Sequence, residues 1–241
     1  MLESAAAGLA LPSEAASRGP RVAFTIVGLL ALGYGLVVFI LQHGRGNDAA
    51  GGQVVTSFFF TIAGVFCISE ADGWPRQAAT GGWWLKPGAV RSYWLALLML
   101  ALSALMWGLL LFEFTSSNPS DKAFRGTVAA FAYPALYLSA GVIIGRLTPL
   151  RRFGEPVATR VGFLGSVVLG VAASSALALV FEGRASGKVM NVLNPVVGLV
   201  NFVDRSGSQF DAALVLLCAV ALLAVFLAAV VLHGRDEVRS A

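Results

Sequence analysis

The reading of this chain turns on the stretch Val189-Met190-Asn191-Val192-Leu193-Asn194-Pro195-Val196-Val197-Gly198-Leu199-Val200-Asn201-Phe202-Val203. It lies between two longer apolar runs, 161–181 and 212–232. A bilayer core about 30 Å thick needs roughly 20 helical residues to cross it. This stretch is shorter, and Asn194-Pro195 interrupts it at the middle, where proline breaks a continuing helix. It is too apolar for an ordinary loop and too short for a straight crossing. Backbone that leaves the helix at membrane depth survives only where protein or a wet cavity covers it. Two geometries fit. In one, the segment dips into the membrane and returns, with Asn194 and Pro195 as its turn. In the other, an amphipathic helix lies in the interface. The polar residues Asn191, Asn194 and Asn201 are few and uncharged, which favours the re-entrant form.

Working outward, the rest of the chain is built for lipid. Of its 241 residues 57% are hydrophobic and 12% charged, against about 25% charged in soluble domains, and the mean hydropathy is +0.79. Six runs stand out at 22–41, 54–68, 93–114, 128–144, 161–181 and 212–232. The second and fourth are short, with room to extend into Gln53 or Ser69 and into Thr127 or Gly145. The Gly-rich stretch 43–52 reads as the separator of the first two, and Pro149 stops the fourth. The expected fold is an all-α polytopic membrane protein. A tail at 1–20 precedes a six-helix domain at 21–233, and a second tail follows at 234–241. Residues 1–20 lack the charged and apolar regions of a cleavable signal, so the first run is expected to act as an uncleaved insertion signal.

Loop charges orient the spans. Arg18, Arg21, Arg76, Lys86, Arg91, Arg146, Arg151, Arg152, Arg160, Arg235 and Arg239 fall on one side. Arg45, Lys122, Arg125, Arg184, Lys188 and Arg205 fall on the other. The positive-inside rule then places both termini in the cytoplasm and the stretch 189–203 on the outer face. The net charge of +4 is spread over these loops and calls for no nucleic-acid partner. Cys67 and Cys218 lie within apolar runs, where cysteine behaves as a small hydrophobe.

The loop 69–92 carries Glu70, Asp72, Trp74, Trp83, Trp84, Lys86 and Arg91. Its tryptophans serve either as an aromatic belt on the headgroups or as anchors for a cytoplasmic partner beside the basic residues. Glu70 and Asp72 either oppose the local charge bias as partner contacts or cap a short helix. Within the runs, Glu113 is the single acid, one residue from the end of its run. Tyr133, Pro134 and Tyr137 put a kink and two hydroxyls in the fourth run, facing a pathway or serving packing alone. Gly141 and Gly145 form a GxxxG, which packs helices closely within a chain or between subunits.

Catalytic and cofactor motifs are missing. The sequence holds no P-loop, no HExxH, no GxSxG and no zinc spacing, so no catalytic, cofactor or metal residue is expected. The six runs, the long loop after the second and the outer stretch before the last resemble an ABC-2-type transporter permease. The residues that carry the resemblance are Ile68-Ser69-Glu70-Ala71-Asp72-Gly73, Leu85-Lys86-Pro87-Gly88-Ala89-Val90-Arg91 and Leu193-Asn194-Pro195. The usual Arg after the Glu and Thr after the Gly are absent. The resemblance implies a multi-pass protein of a bacterial cytoplasmic membrane. It also implies a cytoplasmic ATP-binding subunit as partner, and homodimers or heterodimers of permeases surrounded by membrane lipid. Its ATPase contact would be the loop 69–92. Few polar groups line the runs, which suits a lipidic or amphipathic cargo, though plain helix packing gives the same composition. A non-catalytic anchor or assembly subunit of a larger membrane complex fits the composition as well. An ion-coupled carrier would need paired charges at mid-membrane, which the runs lack.

Overall fold

The computed structural model of the chain describes residues 28–30, 33–34, 37, 47–71, 88–115, 118–153, 155–181, 194–204 and 208–240. The helices in order are α1 (Asn47–Ala71), α2 (Ala89–Phe114), α3 (Pro119–Leu147), α4 (Glu155–Val180), α5 (Pro195–Asp204) and α6 (Ser208–Ser240), with a 3-10 turn at Pro149–Phe153. No strand occurs among the described residues. Among the described residues, five helices are long and apolar enough to cross a membrane. Their apolar spans are Ala50–Ser69, Ala89–Glu113, Pro119–Leu147, Val157–Val180 and Ser208–Gly234. The chain is thus an all-helical, multi-pass membrane protein. Positions 28–30, 33, 34 and 37 of the first predicted run are helical, and the remainder of that run lies outside the described residues.

Two boundaries depart from expectation. Within the stretch 43–52, residues 47–52 are helical rather than loop, because α1 begins at Asn47 and includes Gly51 and Gly52, while 43–46 lie outside the described residues. Glycine inside a helix costs about 1 kcal/mol relative to alanine. In lipid, however, every backbone N–H and C=O must be paired internally, so the helix continues through such a weak position. Packing explains the choice of residue. A Cβ on Gly52 would lie 2.5 Å from the ring of Trp107, so the bare backbone is the seat of that indole.

The fourth run is also much longer than 128–144. Helix α3 extends from Pro119 to Leu147 and carries Asp121, Lys122 and Arg125 inside it. Proline is accommodated in a first turn, where its missing N–H has no helical acceptor. The buried Arg125 stays helical because its charge is matched. Its Nε lies 2.9 Å from Asp121 and its Nη2 lies 2.8 Å from Asp211 in the first turn of α6. The other end stops where proline predicts, with Thr148 capping and Pro149 opening the 3-10 turn.

Helix α3 is the axis of the bundle. It packs against α1, α2, α4, α5 and α6, and 67% of its spanning window is buried, against 17% for α4 and 22% for α6. Those two therefore turn most of their surface to lipid or to a partner. The core follows small residues along α3. Ala129, Ala130, Ala132, Ala135 and Leu138 are all buried. Burial of Tyr93 ties three helices together, since its hydroxyl lies 2.7 Å from Ser139 Oγ of α3 and 3.4 Å from the Val225 carbonyl of α6.

The GxxxG has an intramolecular role. A Cβ on Gly141 would meet Phe163 Cα at 2.9 Å, and one on Gly145 would meet Thr159 Cα at 2.6 Å. From the opposite side, a Cβ on Gly162 would lie 2.8 Å from the Gly141 carbonyl oxygen. The backbones of α3 and α4 touch here, which bare glycines alone permit.

Candidate functional site

The proline inside α3 organises the site. Pro134 has no N–H, so the carbonyl four residues back, on Ala130, loses its helical donor. A neighbouring helix supplies one: Ser57 of α1 donates its hydroxyl to that carbonyl at 3.1 Å. The next turn of α1 repeats the pattern internally, with Thr61 Oγ1 donating to the Ser57 carbonyl at 2.6 Å. Such repair is what lets a proline persist at membrane depth.

Around this proline α1, α3, α4 and α5 line a narrow cleft. Val54, Ser57, Phe58 and Thr61 line it from α1; Tyr133, Pro134 and Tyr137 from α3; Phe163 and Val167 from α4; Pro195 and Leu199 from α5. Its polar groups among the described residues are hydroxyls. The enclosed space is only about 20 Å³, room for about one water molecule, so the helices here form a narrow, apolar crevice. Gly170 leaves room for the Tyr137 hydroxyl, which fills the place a Cβ would take.

The short helix closes one end. Asn194 Oδ1 accepts from the backbone N–H of Val196 at 3.0 Å and of Val197 at 3.2 Å. This is the N-cap arrangement, and Pro195 stands at the first helical position, where its ring is preorganised. Asn194 and Pro195 therefore open a helix. At 1.5 Å per residue, α5 is about 15 Å long, half the bilayer core. Pro195, Leu199, Asn201 and Phe202 are buried against the bundle, whereas Val196, Val197 and Val200 face outward. The Phe202 ring meets that of Tyr133, centroids 6.4 Å apart. No protein-family model, curated protein or solved structure matches this chain.

Tyr133, Pro134, Tyr137 and Pro195, singled out separately in the sequence, thus meet in one cleft. Asn194 and Asn201 belong to its closing helix without lining it. Glu113 is exposed near the end of α2 and does not line it. Arg91 is half-buried in the first turn of α2. The side chain of Glu70, and all of Asp72, Trp74, Trp83, Trp84, Lys86 and Asn191, lie outside the described residues. Ser57 and Thr61 escaped the sequence reading. Their signal is a pair of hydroxyls four apart on an otherwise apolar run, the spacing that puts two side chains on one helix face.

Where α1 meets α4 at the bundle end that holds Ser69, Arg160 makes the junction. Its Nε donates to Ser69 Oγ at 3.2 Å, and its guanidinium sits 4.4 Å from the Phe66 ring centroid, over its face. A second and much larger groove of about 450 Å³, almost entirely apolar, runs between α2, α3 and α6 over Ala104, Ala132, Ala135 and Ala221. It lacks the cluster of hydroxyls that marks the first.

Proposed function

We propose that this chain is the membrane-spanning permease subunit of an ATP-driven exporter, resembling the ABC-2 type, that moves a lipidic or amphipathic substrate. The observation that carries the reading is the half-length helix α5, which follows α4 in the chain and packs on α3 and α1 over a narrow apolar cleft beside Pro134 of the central helix. A lid of half the membrane thickness can shift without breaking a full span, and Pro134 beneath it removes one helical hydrogen bond, which makes the central helix easier to bend there. Hydroxyls on apolar walls suit a cargo with a long apolar body and few polar atoms, whose desolvation in the cleft costs little.

In this reading six helices span a bacterial cytoplasmic membrane with both termini inside, and α5 lies toward the outer face. Energy comes from a separate cytoplasmic ATPase subunit contacting the loop 69–92, and two permease subunits form the working unit through the exposed faces of α4 and α6. The test is co-purification of the chain in mild detergent from its native membranes, with ATP hydrolysis measured on the product. The expected result is an associated ATPase that is lost when Trp83 and Trp84 are replaced by Ala while membrane insertion persists. Absence of any ATPase, or its full retention by that variant, overturns the proposal. Labelling of Asn194→Cys from the cytoplasmic side alone would overturn the topology with it.

A further inference from the structure

Two contacts set the register of the antiparallel pair α1 and α2. Gly52 faces the ring of Trp107, and a Cβ on Gly64 would lie 3.1 Å from the Ala96 methyl. Between these anchors, three turns of helix apart, the register places Thr56 across from Ser103. Both side chains are buried, and neither hydroxyl has a hydrogen-bond partner among the described residues. One turn further along, Gln53 is 0% exposed with both amide atoms unpaired, and the Trp107 Nε1–H is buried and unpaired. The Gln53 amide leans toward α3, its Oε1 3.2 Å from a Cβ placed on Gly126.

Five polar atoms on two consecutive layers where α1 meets α2, the two of Gln53 on the side toward α3, thus lack partners among the described residues. Polar groups left unpaired at membrane depth are individually costly, and several together rival the whole margin of folding stability. We propose that Gln53, Thr56, Ser103 and Trp107 form a buried hydration site in which water molecules bridge α1 and α2. The chemistry selects the ligand. The four side chains are neutral, so an ion would lose its hydration without a compensating charge. Together they offer donors and acceptors, as Gln, Ser and Thr do both and the indole donates only. Water is the small neutral molecule that satisfies such a mixed set, and buried water typically makes about three hydrogen bonds. The site is separate from the cleft at Pro134, and its existence does not depend on transport.

X-ray radiolytic footprinting of the full chain in lipid nanodiscs tests this, because radicals born from bound water oxidise the adjacent indole. Trp107 is expected to be oxidised despite its burial, and several-fold more slowly in a Gln53→Leu/Thr56→Val/Ser103→Ala variant. Where that triple variant fails to fold, Thr56→Val and Ser103→Ala alone are each expected to lose part of the signal. An unlabelled Trp107, or labelling untouched by these substitutions, overturns the proposal. A rise in Tm on removing the hydroxyls would overturn it equally, since that marks dry, unpaired groups.

Discussion

Replacing Gly145 with Ala tests the closest contact in the bundle. The added methyl would lie 2.6 Å from Thr159 Cα, 2.7 Å from Thr159 N and 2.8 Å from the Ala158 carbonyl carbon. Ordinary contact begins near 3.4 Å, so α3 and α4 must part by about 0.8 Å, a gap that forfeits a quarter to a half of the dispersion energy of the atoms it separates. The obstacle is backbone, which has no rotamer to change, so the cost falls toward the upper part of the overpacking range, about 2–3 kcal/mol. Better helix propensity returns about 1 kcal/mol. The net loss is about 1–2 kcal/mol, and for a chain of this size Tm falls by roughly 2–8 °C. Gly165→Ala on α4, away from the seam, is the control. Nothing lies within 4 Å of its Cβ, so only the propensity gain remains and Tm should rise by a few degrees. Thermal unfolding followed by tryptophan fluorescence, with oligomeric state read by size-exclusion chromatography, gives both numbers. Two variants that shift Tm alike would refute the reasoning. A change in oligomeric state with unchanged Tm would show that the glycine pair faces another subunit.

Three further outcomes follow from the same geometry. Ser57→Ala should cost about 1–2 kcal/mol by orphaning the Ala130 carbonyl. Pro134→Ala should remove most of that penalty by restoring the helical N–H, a coupling that a double-mutant cycle on Tm measures directly. Asn194→Ala removes the acceptor of two N–H groups at the start of α5 and should lower local stability by about 1 kcal/mol. Hydrogen exchange at Val196 and Val197 reads it, with Asn194→Asp retaining protection. Asp211→Asn should cost only about 0.5–1 kcal/mol, because that carboxylate is half exposed. Arg125→Ala should cost more, about 2 kcal/mol, since a buried aliphatic stem is lost along with two ion pairs. Equal effects of the two substitutions on Tm would contradict the burial difference.

Much of this organisation is written in the chain itself. Apolar runs of near-bilayer length dictate spanning helices, because lipid offers no partner to an unpaired backbone group. Pro149 after Arg146 marks the end of α3, and Asn194-Pro195 marks a break in an apolar stretch, each through local chemistry that needs no neighbour. The same local rules misplaced the start of α1 and the length of α3. Gly52 is a poor helix residue until Trp107 lies on it, and Arg125 is a poor membrane residue until Asp211 arrives from a helix 86 positions further along the chain. Gly141 and Gly145 promise close packing, but only the backbone of α4 against them shows that the contact is internal. Tyr133, Pro134 and Pro195 were conspicuous one at a time. That they share a cleft with Ser57 and Thr61 depends on how four helices cross, and side-chain spacing along a single helix carries no information about that crossing.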